Sequence, residues 1–116
     1  MIKMVRSPDS RYYAPHTRVL VVSCPPIDQS VRKDDLASRP VPLDVDRTAE
    51  RTRQFAQAAI EVARKHQLPF VDLWTAISKR AESGGGLGKY LSDGLHLSGP
   101  GYRASPAVLT LAWTPV

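Results

Sequence analysis

The chain is 116 residues long, the size of one small domain, with 42% hydrophobic and 23% charged residues, the balance of an ordinary soluble protein. Its formal charge is +5, yet the arginines are scattered from Arg6 to Arg103 without a dense basic block, so no nucleic-acid partner is expected. A single cysteine, Cys24, excludes an internal disulfide, and the longest apolar stretch, Val19 to Val22, is far too short to cross a bilayer.

The first residues, Met-Ile-Lys-Met-Val-Arg-Ser-Pro, lack the apolar core of a signal peptide, so a cytoplasmic protein with no membrane partner is predicted. Met1 to Arg6 reads as the tail of a helix stopped by Pro8. Arg18 to Ser23 reads as a strand buried on both faces, because Val19, Leu20, Val21 and Val22 are contiguous and mostly β-branched. Pro25 and Pro26 end it, since proline cannot donate to a ladder.

Residues 27–45 show no apolar period and read as a loop. A helix is predicted from about Asp46, its N-cap, to His66, with Phe55, Ala59, Val62 and His66 as the apolar stripe. His66 reads as a packed or capping histidine rather than a ligand. Leu68-Pro69 stops that helix. Phe70 to Leu73 is a second short strand, running through Trp74 into a helix that ends near Ala81. A strand, a long helix and a strand in that order predict a right-handed parallel crossover, and hence an α/β class.

The glycine loop Ser83-Gly-Gly-Gly-Leu-Gly-Lys-Tyr90 lacks the first glycine and the final Ser or Thr of a phosphate-binding loop. It reads as a surface loop. His16, His66 and His96 share no ligand spacing, so neither a metal nor another cofactor is expected.

The most informative stretch follows: Leu91-Ser-Asp-Gly-Leu-His-Leu-Ser-Gly-Pro-Gly-Tyr102. Asp93 stands three residues before His96, and Gly94 lets the chain turn so that the carboxylate can fold back toward the ring. A carboxylate on the Nδ1 side of a histidine fixes its tautomer and stabilises its charged form, which is the supporting half of a serine-type triad. The stretch lies beyond the last parallel strand, where α/β enzymes put their chemistry. The plainer reading is an Asp-Gly turn whose acid caps local amides.

These residues resemble the last signature block of the SGNH/GDSL hydrolases, in particular the branch of isoamyl acetate-hydrolysing esterases. Arg18-Val-Leu-Val-Val-Ser-Cys-Pro-Pro-Ile27 is similar to that branch's fourth strand and its proline-rich loop, and Leu68-Pro-Phe-Val-Asp-Leu-Trp74 to its fifth strand. The resemblance implies a flavodoxin-like three-layer fold with a parallel sheet, its first three strands absent here, in which residues 1–103 are the C-terminal part of an esterase domain. It implies hydrolysis of small, short-chain carboxylic esters, with His96 as general base and Asp93 orienting it.

The same resemblance calls for a nucleophile in a Gly-Asp-Ser block and for an oxyanion hole with an asparagine. The sequence has neither a Gly-Asp-Ser block nor any asparagine; Pro8-Asp9-Ser10 falls elsewhere in the family pattern. The expectation is a chain that is nearly inactive alone, with a non-catalytic interaction module derived from an esterase as the alternative. Ala104-Ser105-Pro106 is expected to interrupt the last helix, making residues 104–116 a divergent tail from an altered reading frame or a retained intron. The open edge of the Arg18 to Ser23 strand invites self-association.

Overall fold

The computed structural model describes residues 1–112, with side chains through Ser105. Two short parallel strands form the sheet: β1 (Val21–Val22) and β2 (Phe70–Val71), in register Val21 to Phe70 and Val22 to Val71. The ladder is shorter than the predicted Arg18 to Ser23, because β2 offers little backbone to pair with. Pro69 and Val71 accept from Val21 and Ser23, and Asp72 already caps the next helix.

Five α-helices occur among the described residues: α1 (Ile2–Arg6), α2 (Gln29–Ala37), α3 (Ala49–Lys65), α4 (Leu73–Ser83) and α5 (Gly99–Ala112). The α/β class with a small parallel sheet is as expected. The loop predicted over residues 27–45 is not: α2 occupies much of it. Asp28 caps α2 by accepting from the Val31 amide, and Leu36 is buried beneath it.

The long helix α3 starts later than predicted. Thr48, not Asp46, is its N-cap, with the hydroxyl accepting from the Arg51 amide. Its buried stripe is Ala56, Ile60 and Ala63, one residue on from the predicted one; Phe55 is 62% exposed and Val62 44%. Both stripes have helical spacing. The alanine-lined one faces the strands, since small side chains let a helix lie close to a sheet. At the far end Gln67 sits at φ +53, and Leu68 and Gln67 donate back to Ala63 and Arg64. This is a Schellman ending with glutamine where glycine is usual. His66 is the C-cap, its backbone amide donating to the Val62 and Arg64 carbonyls.

Side chains alternate along a strand, so the register puts Val21 and Phe70 on one face and Val22 and Val71 on the other. The first face meets α3, whose Arg64 lies 5.3 Å over the Phe70 ring. On the other face Val71, Leu73, Ile77, Tyr90 and Ala104 form the main core with α4 and α5. Asp72 caps α4, and Ser23 joins that cap: its hydroxyl accepts from the Trp74 amide and lies 3.5 Å from Asp72 Oδ1.

The predicted interruption at Ala104-Ser105-Pro106 is corrected: α5 is helical from Gly99 through Ala112. Proline's fixed φ suits a helix, so Pro106 forfeits one hydrogen bond without forcing a break. Just before it Ala104 is buried and Ser105 Oγ donates to the Gly101 carbonyl. The rest of the expected divergent tail, residues 106–116, lies outside the described side chains.

The radius of gyration is 16.8 Å, against about 13 Å for a compact domain of this length. The accessible surface is 8005 Å², against about 6,300 Å² for a compact monomer of this mass. The excess is shared by exposed apolar side chains in several segments, among them Val41, Phe55, Tyr102 and, on β1, Val22 at 43%.

Candidate active site

The loop after the glycine stretch is a miniature hairpin. Leu91 and Leu97 form an antiparallel bridge, with Ser92 N donating to His96 O and Ser98 N to Tyr90 O. Asp93-Gly94-Leu95-His96 is its tip. Gly94 takes φ +78, a conformation that favours glycine, and a side chain there would meet the Asp28 carbonyl and the Arg32 amide. The tip therefore lies against the first turn of α2, where Asp28 N donates to Gly94 O.

The sequence pairing is realised in space. Asp93 Oδ2 lies 2.7 Å from His96 Nδ1, and Asp93 Oδ1 accepts from the amides of Leu95 at 3.0 Å and His96 at 2.8 Å. The plainer reading and the catalytic one are thus not exclusive: one oxygen caps the turn and the other meets the ring. Burial, the largest single influence, opposes the Asp93 charge. The amide and ring of His96 and the Leu95 amide outweigh it and hold this carboxyl well below the usual carboxylate range.

A third contact was not legible in the sequence. Arg32, buried on α2, places Nη1 3.0 Å from the same Asp93 Oδ2. It also reaches Asp35, and it grips Asp46 with Nε and Nη2. Asp46, expected as a helix cap, is instead a partner of this guanidinium. The hydrogen bond from Arg32 is the main cause that lowers the Asp46 carboxyl below its ordinary value.

His96 is otherwise exposed and borders a cleft of about 640 Å³. Pro25, Ile27, Phe55, Leu95 and Leu97 give the cleft apolar walls, and Cys24, Arg47 and Thr52 complete it. The Cys24 thiol donates to the Thr52 carbonyl, and burial pushes its pKa up, which disfavours the thiolate. The serines near the histidine in sequence are engaged with backbone. Ser98 Oγ donates to Lys89 O and accepts from Gly101 N, while Ser105 Oγ donates to Gly101 O. Ser10, in the Pro8-Asp9-Ser10 stretch, accepts from the Tyr12 amide in a local turn. Among the described residues no group of three His, Cys, Asp or Glu is placed to hold a metal ion, and no helix is long and apolar enough to cross a membrane.

What this arrangement can do chemically is limited and definite. Nδ1 of His96 faces a carboxylate, so Nε2 is the nitrogen left to take a proton from a hydroxyl. The apolar cleft beside it can hold the carbon skeleton of a small molecule.

Comparison with known proteins shows which chains this one is similar to. A sequence model of the GDSL-like lipase/acylhydrolase family matches residues 1–104. The chain is 33% identical over 87 residues to the protein called GDSL esterase/lipase WDL1 of Oryza sativa subsp. japonica, covering 75% of this chain and 32% of that one. It is 31% identical over 98 residues to the isoamyl acetate-hydrolyzing esterase 1 homolog of Mus musculus, covering 84% of this chain and 36% of that one. The chain thus spans about a third of the length of these relatives.

Proposed function

Because this chain belongs to the GDSL-like lipase/acylhydrolase family, we propose that it carries the histidine–aspartate half of a serine-type ester hydrolase site. His96 is the general base, taking the proton of an attacking hydroxyl at Nε2. Asp93 orients the ring through Nδ1 and stabilises the imidazolium that forms. The observation that carries this reading is the 2.7 Å contact between Asp93 Oδ2 and His96 Nδ1 at the mouth of an apolar cleft. The apolar walls favour short-chain carboxylic esters over charged substrates.

The sequence blocks that supply the serine and the oxyanion donors in the family pattern do not accompany this pair. The sequence has no Gly-Asp-Ser block and no asparagine, and Ser98 and Ser105 hold backbone partners. A triad without its nucleophile loses several orders of magnitude in rate. The polypeptide alone is therefore expected to hydrolyse a short p-nitrophenyl ester no faster than background. Adding a segment that supplies the Gly-Asp-Ser and asparagine blocks of a relative should restore turnover, and His96→Ala should abolish it. His96-dependent turnover by the chain alone would refute the half-site reading.

The bare side of β1 offers a second outlet. With Val22 exposed and β1 at the edge of the sheet among the described residues, the strand suits addition of another strand, from a second copy or from the complementary part of an esterase domain. Dimers seen by sedimentation and lost in Val22→Lys would support self-association; a concentration-independent monomer would count against it.

A further inference from the structure

We propose that Arg32 is a positioning residue for the Asp93–His96 pair, holding the Asp93 carboxylate at the angle from which it selects the Nδ1–H tautomer of His96. The inference rests on the reading of that pair as half of a triad.

Each oxygen of Asp93 has two donors. Oδ1 is taken by the amides of Leu95 and His96, both within its own turn. Oδ2 is taken by His96 Nδ1 and by Arg32 Nη1. Among the described residues Arg32 supplies the one donor from outside the turn. It comes from α2, an element 61 residues away in sequence, and so it ties the turn to a rigid helix.

The guanidinium is itself fixed. Its Nε and Nη2 fork onto Asp46, at 3.4 and 3.1 Å, which leaves Nη1 directed at Asp93 and Asp35. A planar fork held on one edge presents its remaining nitrogen in a set direction, which a flexible ammonium does not. The surrounding charges are nearly balanced. Arg39 pairs with Asp35 at 2.9 Å, and Arg47 lies 3.8 Å from Asp46 and lines the same cleft as His96. Arg32 is thus not a lone buried cation seeking any anion. Its placement commits one nitrogen to the oxygen that faces the histidine.

A base that works through Nε2 must carry its neutral-state proton on Nδ1, the less populated tautomer of a free imidazole in water. Asp93 selects that tautomer only while its Oδ2 stays in the ring plane. Losing Arg32 frees the carboxylate to swing, and the selection weakens.

The experiment is ¹⁵N spectroscopy of the imidazole nitrogens in this chain, in mildly alkaline solution, with the His96 signals assigned by their loss in His96→Gln. In the native protein His96 should show a protonated Nδ1. In Arg32→Met its ring nitrogens should move most of the way to free-imidazole positions, while His16 and His66 stay as internal controls. In Asp46→Asn, which loosens the fork by removing the Asp46 carboxylate while Arg32 keeps its charge, the move should be in the same direction and smaller. Unmoved His96 nitrogens in a folded Arg32→Met protein would overturn the proposal. If that variant does not fold, Arg32→Lys decides: native ring shifts there would overturn it, and a partial move would support it. The readout needs no catalysis. A tautomer shift as expected, together with a complemented enzyme indifferent to His96→Ala, would sink the triad reading and leave the role of Arg32 standing.

Discussion

Val71 and Val22 sit side by side in the sheet, on the same face, and have opposite fates. Val71 on β2 is 2% exposed beneath α4 and α5, whereas Val22 on β1 is open to water. The same side chain in the same register is thus core on one strand and surface on the other. The difference lies in what covers each strand: α3 contacts both strands, whereas α5 packs on β2. The covered flank carries the main core, and the other flank leaves Val22 half exposed. The Asp93–His96 turn belongs to the covered flank through Tyr90, Leu91 and Gly101, and the cleft beside it is walled by Cys24, Pro25 and Ile27, just past β1, and by Phe55 of α3.

Substitutions can test how sharp this division is. Ile77, fully buried at the centre of the covered flank, should show the largest effect: Ile77→Ala is expected to cost about 3–4 kcal/mol in chemical denaturation. A loss under about 1 kcal/mol would erase the contrast between the flanks. Gly94→Ala should follow at about 2–3 kcal/mol, because a Cβ at φ +78 would stand 2.5 Å from the Asp28 carbonyl and 2.6 Å from the Arg32 amide. An unaffected protein would show that the turn is not pressed against α2.

Acid should probe the same junction. The Asp93 carboxyl is held below its ordinary range in the folded chain, so its contribution is complete above the unfolded value of about 4. That contribution is lost as pH falls through the folded value. Native protein should therefore exceed Asp93→Asn in stability by more near neutrality than in acid, as urea unfolding would measure. A gap that widens on acidification would contradict the sign. At the small end, Val22→Lys should change monomer stability by under about 0.5 kcal/mol, whereas Val71→Lys should prevent folding. Equal effects on the two strands would break the comparison.

Much of the framework was legible in the residues. The contiguous Val19 to Val22 run and the Phe70-Val71 pair mark the strands, and the Asp93-Gly94-Leu95-His96 spacing identifies the hydrogen-bonded pair. What was hidden follows from competition between similar signals. In α3 two stripes of helical spacing lie one residue apart, and hydrophobicity favours the one with Phe55 and Val62. Close approach to a sheet favours Ala56, Ile60 and Ala63. In α2 the sequence Gln-Ser-Val-Arg-Lys-Asp-Asp-Leu-Ala is too polar to show an apolar period. Its buried face includes an arginine, whose burial makes sense only once Asp35, Asp46 and Asp93 are gathered from three segments. Ion pairs between distant segments leave no local mark, which is why Asp46 reads as a helix cap and Arg32 as a loop residue, while Asp93 and His96 read as a pair.

The grip of Arg32 on Asp46 also sets a boundary for change in the molecule. Residues 39–45 are exposed and lie ahead of that anchor, with Leu43 N on the Leu36 carbonyl as one backbone tie. Extra residues inserted there lengthen a surface excursion, and loop-closure entropy rises by only about 0.6 kcal/mol for each doubling of length. Between Asp46 and the Thr48 cap, a single added residue would have to move the carboxylate or the helix start. Related chains should therefore vary in length before this aspartate and keep a fixed count after it.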